Sequence, residues 1–152
     1  MSPRVLQASE LKGVVGEQLG TSSWVTIEQE RIDRFAEATG DHQWIHVDPE
    51  RAKDGPFGST IAHGFLTLSL IPALAWEIYT VEGARLSVNY GLNKLRFITP
   101  VKVGSRVRAH VSIASVEDVP GNALQVAAAV TVELEGAAKP AAVAETLTRV
   151  YL

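Results

Sequence analysis

The sequence predicts an α+β fold in which long antiparallel strands curl around one central helix. Three observations carry this. Residues 62–79 are apolar on nearly every face of a helix, with His63, Thr67, Ser69, Pro72 and Glu77 as the few exceptions. After Gly83 the apolar residues change to a period of two, the mark of strands with one wet face. The links between those strands are short turns, which favours antiparallel neighbours. A helix without a polar face must be covered on all sides. A curled sheet covers part of it, and a second subunit would cover the rest.

Composition narrows the class. The 152 residues suit one domain spanning 1–152. Apolar residues at 46% and charged residues at 20% indicate a packed core rather than disorder. A net charge of −3 lacks the basic face that nucleic acid needs, so no nucleic-acid partner is expected. With zero cysteines there is no disulfide, no thiolate nucleophile and no thiolate-held metal, which fits a reducing, cytoplasmic location. The opening MSPRVLQASELKG has no apolar signal-peptide run. The 61–79 stretch is too interrupted for a membrane span, which needs about 20 mostly apolar residues, so a buried helix rather than membrane insertion is expected.

Taken in order, residues 1–20 give a short helical start near 9–11 and then three glycines. Residues 22–27 read as a short strand. Thr26 reads as a helix N-cap, with Gln29 in the capping-box position and Glu28 and Glu30 suited to the helix dipole. Ile32, Phe35, Ala36 and Thr39 keep helical spacing, and Gly40 sits where a glycine would stop the helix. Asp48-Pro49 starts a second, short helix, with Asp as cap and Pro at its first position, and Asp54-Gly55-Pro56 ends it. Gly58-Ser59-Thr60 leads into the long apolar helix, which Pro72 should kink or break. Leu86, Val88 and Tyr90 share a strand face, and the phase slips beyond Gly91 to Leu95 and Phe97, as at a bulge. Val107, Ala109, Val111 and Ile113 alternate with Arg106, Arg108, His110 and Ser112. A turn at Pro120-Gly121-Asn122 precedes the alternation of Leu124, Val126, Ala128, Val130, Val132 and Leu134, and 141–152 forms a last strand.

The chemistry concentrates in Thr39-Gly40-Asp41-His42-Gln43-Trp44-Ile45-His46, between two helix ends. A carboxylate and an imidazole on one rigid loop can grip a water molecule and move its protons. The competing reading is local: Asp41 shapes a turn and His46 caps the next helix. Asp41, His42, His46 and His63 also form a possible metal set, but without the i, i+4 spacing of the zinc helix motif, so no metal is expected. In Thr60-Ile61-Ala62-His63-Gly64-Phe65, the Gly64 N–H at a helix start can meet a developing oxyanion, or the glycine can serve close packing. His63 reads as a structural hydrogen-bonding residue. Lys94, Arg96, Lys102, Arg106 and Arg108 can hold the phosphates of an acyl carrier, or form the solvated face of a sheet.

These residues together resemble the MaoC-like dehydratases, the R-specific enoyl-CoA hydratases, including the nodulation-protein-N-like branch. The match includes Phe35-Ala36-Glu37-Ala38-Thr39-Gly40-Asp41, then His46, then Ala62-His63-Gly64, and Arg96-Phe97 with Pro100-Val101 and Gly104. The resemblance implies a hot-dog domain, generally a homodimer, that hydrates trans-2-enoyl-CoA to R-3-hydroxyacyl-CoA. Asp41 and His46 would activate the water and Gly64 would meet the thioester oxygen. Gln43 would contact loop or substrate, and some of Lys94, Arg96 and Lys102 would bind CoA. No cofactor is implied, CoA entering with the substrate. Rival activities are acyl-carrier-protein dehydratase, acyl-CoA thioesterase or a non-catalytic subunit. One departure is Gln43-Trp44, where the family often has Asn-Pro.

Overall fold

The computed structural model describes residues 2–152. The chain opens with β1 (Arg4–Gln7), a 3-10 helix (Ala8–Val14), β2 (Gln18–Thr21) and β3 (Val25–Thr26). Four helices follow, α1 (Gln29–Thr39), α2 (Trp44–Val47), α3 (Pro49–Ala52) and α4 (Gly64–Ile78). The rest is strand: β4 (Tyr79–Glu82), β5 (Leu86–Phe97), β6 (Arg106–Val119), β7 (Ala123–Leu134) and β8 (Ala142–Tyr151). The main sheet has the order β2-β6-β7-β8-β5, with β3 also paired to β6, and every pair in it is antiparallel. β1 and β4 form a separate parallel pair.

Alternation decides which face of this sheet is the core. Val107, Ala109, Val111 and Ile113 of β6 are buried, as are Val126, Ala128, Val130 and Val132 of β7. Each buried valine, leucine or isoleucine contributes about 1.5–3 kcal/mol. The helix α4 lies on this face, packing against β6, β7, β2 and β4. Leu66, Ile71, Leu74 and Ile78 point into the core.

The helix is not covered on all sides within one chain. Phe65 is 63% and Trp76 67% exposed, and Ser69 and Ala73 between them are exposed too. The cause is the width of the sheet: α4 lies over β6, β7 and β2 and meets β5 only at its start, where Gly64 and Phe65 touch Phe97. A cleft of about 620 Å³ opens there, between Leu68, Pro72 and Trp76 of the helix and Tyr90, Leu92 and Leu147 of the strands. Strand β5 is an edge, and Leu86, Val88, Tyr90, Leu92 and Phe97 on it are all exposed. An apolar strand edge is a template for association.

Several boundaries differ from the sequence expectation. Thr26 lies in β3, and Glu28 is the residue that precedes the helix. Gln29 is therefore released from capping. His46 sits within the one-turn helix α2, rather than in the loop before α3. Pro72 is inside α4, which continues through it without a break. Its ring borders the open cleft, and the helix gives up only the N–H that would have bonded Leu68 O. The slip at Gly91 is present as register shifts at Asn89/Gly91 and Leu92/Lys94. The last residue of the expected helix, Tyr79, instead opens β4, whose partner β1 came from the weakly patterned start of the chain.

Candidate active site

Helix α1 delivers Asp41. Gly40 takes φ 85, a left-handed conformation that suits glycine, and its N–H reaches Ala36 O at 2.8 Å. Asp41 then emerges exposed, with Oδ1 accepting from Gln43 N at 3.3 Å. The turn-forming reading of Asp41 thus holds for one carboxylate oxygen. The other has no hydrogen-bond partner among the described residues. Gln43 begins α2 through its main chain, since His46 N donates to Gln43 O at 3.0 Å, and its side chain is exposed. Trp44 turns away from the imidazoles: its ring lies against Gly55, and the Arg51 guanidinium is 4.2 Å from its centroid.

Gln29 ties these pieces together. Its Nε2 donates to His46 O at 2.7 Å, and its Oε1 accepts from Thr60 Oγ1 at 2.5 Å. One side chain at the start of α1 therefore joins α2 to the approach of α4. Sequence spacing alone assigned it to a cap.

His46 is buried, and its Nδ1 lies 2.7 Å from Ile61 O. A carbonyl only accepts, so Nδ1 carries the hydrogen and the neutral ring keeps a lone pair on Nε2. Burial pushes the His46 pKa below the ordinary value; the Ile61 hydrogen bond opposes this, His63 adds to it, and the Asp41 charge opposes it. His63, at the start of α4, is also buried, and its ring stacks on His46 with centroids 3.9 Å apart. Its Nε2 donates to the main-chain oxygen of Asp41 at 2.9 Å.

A carboxylate oxygen of Asp41, a ring nitrogen of His46 and a ring nitrogen of His63 lie within 4.8 Å of one another. Two hydrogen bonds of about 2.8 Å reach further than that, so a single water can bridge the Asp41 carboxylate and the His46 ring. A metal fits less well. The two rings are stacked at 22°, so their in-plane lone pairs run side by side rather than converging on one ion. His42 stands apart, 3.8 Å from Glu37.

Gly64 begins α4 with its main chain against the Phe97 ring, where a Cβ would stand 2.6 Å from Cδ2. Both sequence readings of this glycine therefore remain together: it is closely packed, and it has a helix-start N–H. Lys94 and Arg96 share the face of β5 opposite Phe97, both exposed, and Lys102 is exposed opposite Ile61. Among the described residues none of these three forms an ion pair, whereas Arg106 and Arg108 pair with Glu135 and Glu133. The large cleft does not include Asp41, His46 or His63; it begins at Leu68, one helical turn beyond Gly64.

Comparison with known proteins decides the family. The MaoC like domain profile matches residues 10–135. The chain belongs to the MaoC-like dehydratase family. The 3-hydroxyacyl-thioester dehydratase Z of Mycobacterium tuberculosis is 59% identical over 141 residues, covering 93% of each chain. Nodulation protein N of Rhizobium leguminosarum bv. viciae is 43% identical over 145 residues, 94% of this chain and 90% of that protein. Among solved structures, an unliganded R-hydratase from Pseudomonas aeruginosa superposes with a TM-score of 0.68 at 26% identity, covering 90% of this chain and 81% of the other. The antiparallel sheet with its long helix is the hot-dog fold of these MaoC-like hydratases. Among the described residues, no helix is long and apolar enough to cross a membrane.

Proposed function

We propose that this MaoC-like dehydratase adds water to trans-2-enoyl-CoA to give R-3-hydroxyacyl-CoA, and catalyses the reverse dehydration. The observation that carries the reading is the approach of the Asp41 carboxylate and the His46 ring within 4.8 Å, with the His46 lone pair left on Nε2. These two groups hold one water. Its oxygen bonds to C3 as Asp41 and His46 take up its proton. The C2–C3 electron pair moves into the thioester, whose oxygen meets the Gly64 N–H at the start of α4. A proton then returns from the same pair to C2, so the net change is addition of one water. An acid–base group of this kind contributes about 10²–10⁴-fold in rate. The reading requires no redox group or metal, and CoA enters as part of the substrate.

The acyl chain is assigned to the cleft along α4, from Leu68 toward Trp76, since Leu68 is about 6 Å of helix beyond Gly64. Lys94, Arg96 and Lys102 are the exposed cations available to the CoA phosphates, and Gln43 is the polar side chain at the loop mouth. The active unit is a homodimer in which the β5 edges meet and the exposed face of α4 is covered. The relative's name, 3-hydroxyacyl-thioester dehydratase, supports the thioester and leaves the carrier open. The test is to incubate the pure protein with a short trans-2-enoyl-CoA and follow the conjugated-thioester absorbance, coupling the product to R- and S-selective dehydrogenases. Loss of absorbance with R product is expected. Release of free CoA thiol without hydration would instead indicate a thioesterase.

A further inference from the structure

We propose that His63 is a positioning residue that fixes Asp41 and His46, with the two imidazoles held in opposite tautomers. The inference rests on the hydration reading above. His63 is 2% exposed and lies between the Phe35 ring, at 4.9 Å, and the His46 ring, at 3.9 Å. Its Nε2–H crosses 22 positions of sequence to reach the main-chain oxygen of Asp41.

Three hydrogen bonds restrain Asp41. Its N–H reaches Thr39 Oγ1 at 3.4 Å, its Oδ1 accepts from Gln43 at 3.3 Å, and its carbonyl accepts from His63 at 2.9 Å. Only the last has the length of a well-formed bond. Asp41 follows the left-handed Gly40, a residue of wide conformational freedom, so the His63 bond is what holds its main chain to the site. His46 is locked the other way round, donating through Nδ1 to Ile61 O. Stacked with opposite tautomers, the rings cannot flip without losing an acceptor.

The other nitrogen of His63 argues that the ring is there for position rather than for general stability. Nδ1 is buried and has no hydrogen-bond partner among the described residues. A buried acceptor without a donor is unfavourable. An apolar side chain of similar size would pack between Phe35 and His46 without that penalty, but it could not hold Asp41.

Side-chain ¹⁵N–¹H correlation spectra of the full chain test the geometry directly. His63 is expected with Nε2 protonated and Nδ1 bare, and His46 with the reverse. A His63 that is protonated at Nδ1, or exchanging between tautomers, overturns the proposal. Two variants then test the consequence. His63→Gln keeps an N–H donor near the Nε2 position, and His63→Phe keeps the ring. The phenylalanine variant should lose about 10²-fold in kcat, the effect of misplacing a reacting group by about 1 Å, while the glutamine variant stays within about tenfold of the parent. KM for enoyl-CoA should hold within about threefold in both, because His63 acts through Asp41 rather than on the substrate. Equal losses in the two variants, or a change carried by KM, overturn the proposal. A parent protein that hydrates no enoyl thioester would refute the reaction reading instead, and the tautomers would still decide the placement of His63.

Discussion

Replacing Gly64 by alanine separates the two uses of a glycine at the start of α4. Alanine keeps the main-chain N–H but adds a methyl group where the Phe97 ring now lies. That carbon would stand 2.6, 2.7 and 2.9 Å from Cδ2, Cε2 and Cγ of the ring. Ordinary contact begins near 3.4 Å, so the ring must retreat by about 0.8 Å. Because Cγ is among the close atoms, spinning the ring on χ2 gives no relief, and the side chain must swing on χ1 or β5 must shift. Overpacking of this kind costs about 1–3 kcal/mol. Phe97 is 46% exposed and has room to move, which points to the lower end, about 1 kcal/mol. For a chain of this length that is about 2–4 °C in Tm. Complete loss of an oxyanion donor costs about 10²–10³-fold, so an N–H displaced by a fraction of an ångström should lower kcat about tenfold. The assay is a double-mutant cycle: melting and enoyl-CoA hydration by the parent, Gly64→Ala, Phe97→Ala and the double variant. The double variant should match Phe97→Ala in both rate and Tm increment. If it remains as slow as Gly64→Ala, the ring contact is not the reason for glycine and the argument fails.

Three other outcomes follow from the site and the exposed edge. Burial holds the His46 pKa below about 6.5, so its contribution to stability is complete above that pH and is lost as pH falls through the lower folded value. The acid limb of kcat/KM should therefore have its midpoint below 6.5, and Asp41→Asn should move it lower still by removing a charge that raises it; a parent midpoint at or above 6.5 contradicts this. Sedimentation at micromolar concentration should give a dimer, and Trp76→Glu, on the exposed stripe of α4, should weaken it; a stable, active parent monomer would contradict the assembly. Replacing Lys94, Arg96 and Lys102 together by alanine should raise KM for enoyl-CoA with little change in kcat, and an unchanged KM would remove them from carrier binding.

The long strands β5 to β8 and α4 were legible because their patterns are local, a period of two in the strands and an unbroken apolar run in the helix. The same logic placed Asp41 after a helix stop, since Gly40 is fixed by its own backbone geometry. Other features depended on partners far along the chain. Gln29 has the spacing of a capping residue, yet it bonds to His46 and Thr60, and no local pattern records that. The β1–β4 pair joins segments 75 residues apart, and a four-residue strand carries too little alternation to be read alone. The all-round apolar sequence of α4 did signal that one sheet would not cover it, but which face stays open depends on where the sheet ends. The stacking of His63 on His46 likewise arises only when α2 and the start of α4 meet.

The most direct test of the central claim is the hydration rate of Asp41→Asn. Asparagine keeps the shape and can still accept the 3.3 Å bond from Gln43 N through its amide oxygen, so the turn should survive. It cannot take a proton from water. The folded variant, in the same oligomeric state as the parent, should therefore lose about 10²–10⁴-fold in kcat on a short trans-2-enoyl-CoA. His46→Ala should lose as much, and the double variant little more, because two groups holding one water act as a unit. A folded Asp41→Asn protein that hydrates enoyl-CoA at near the parent rate would contradict the account.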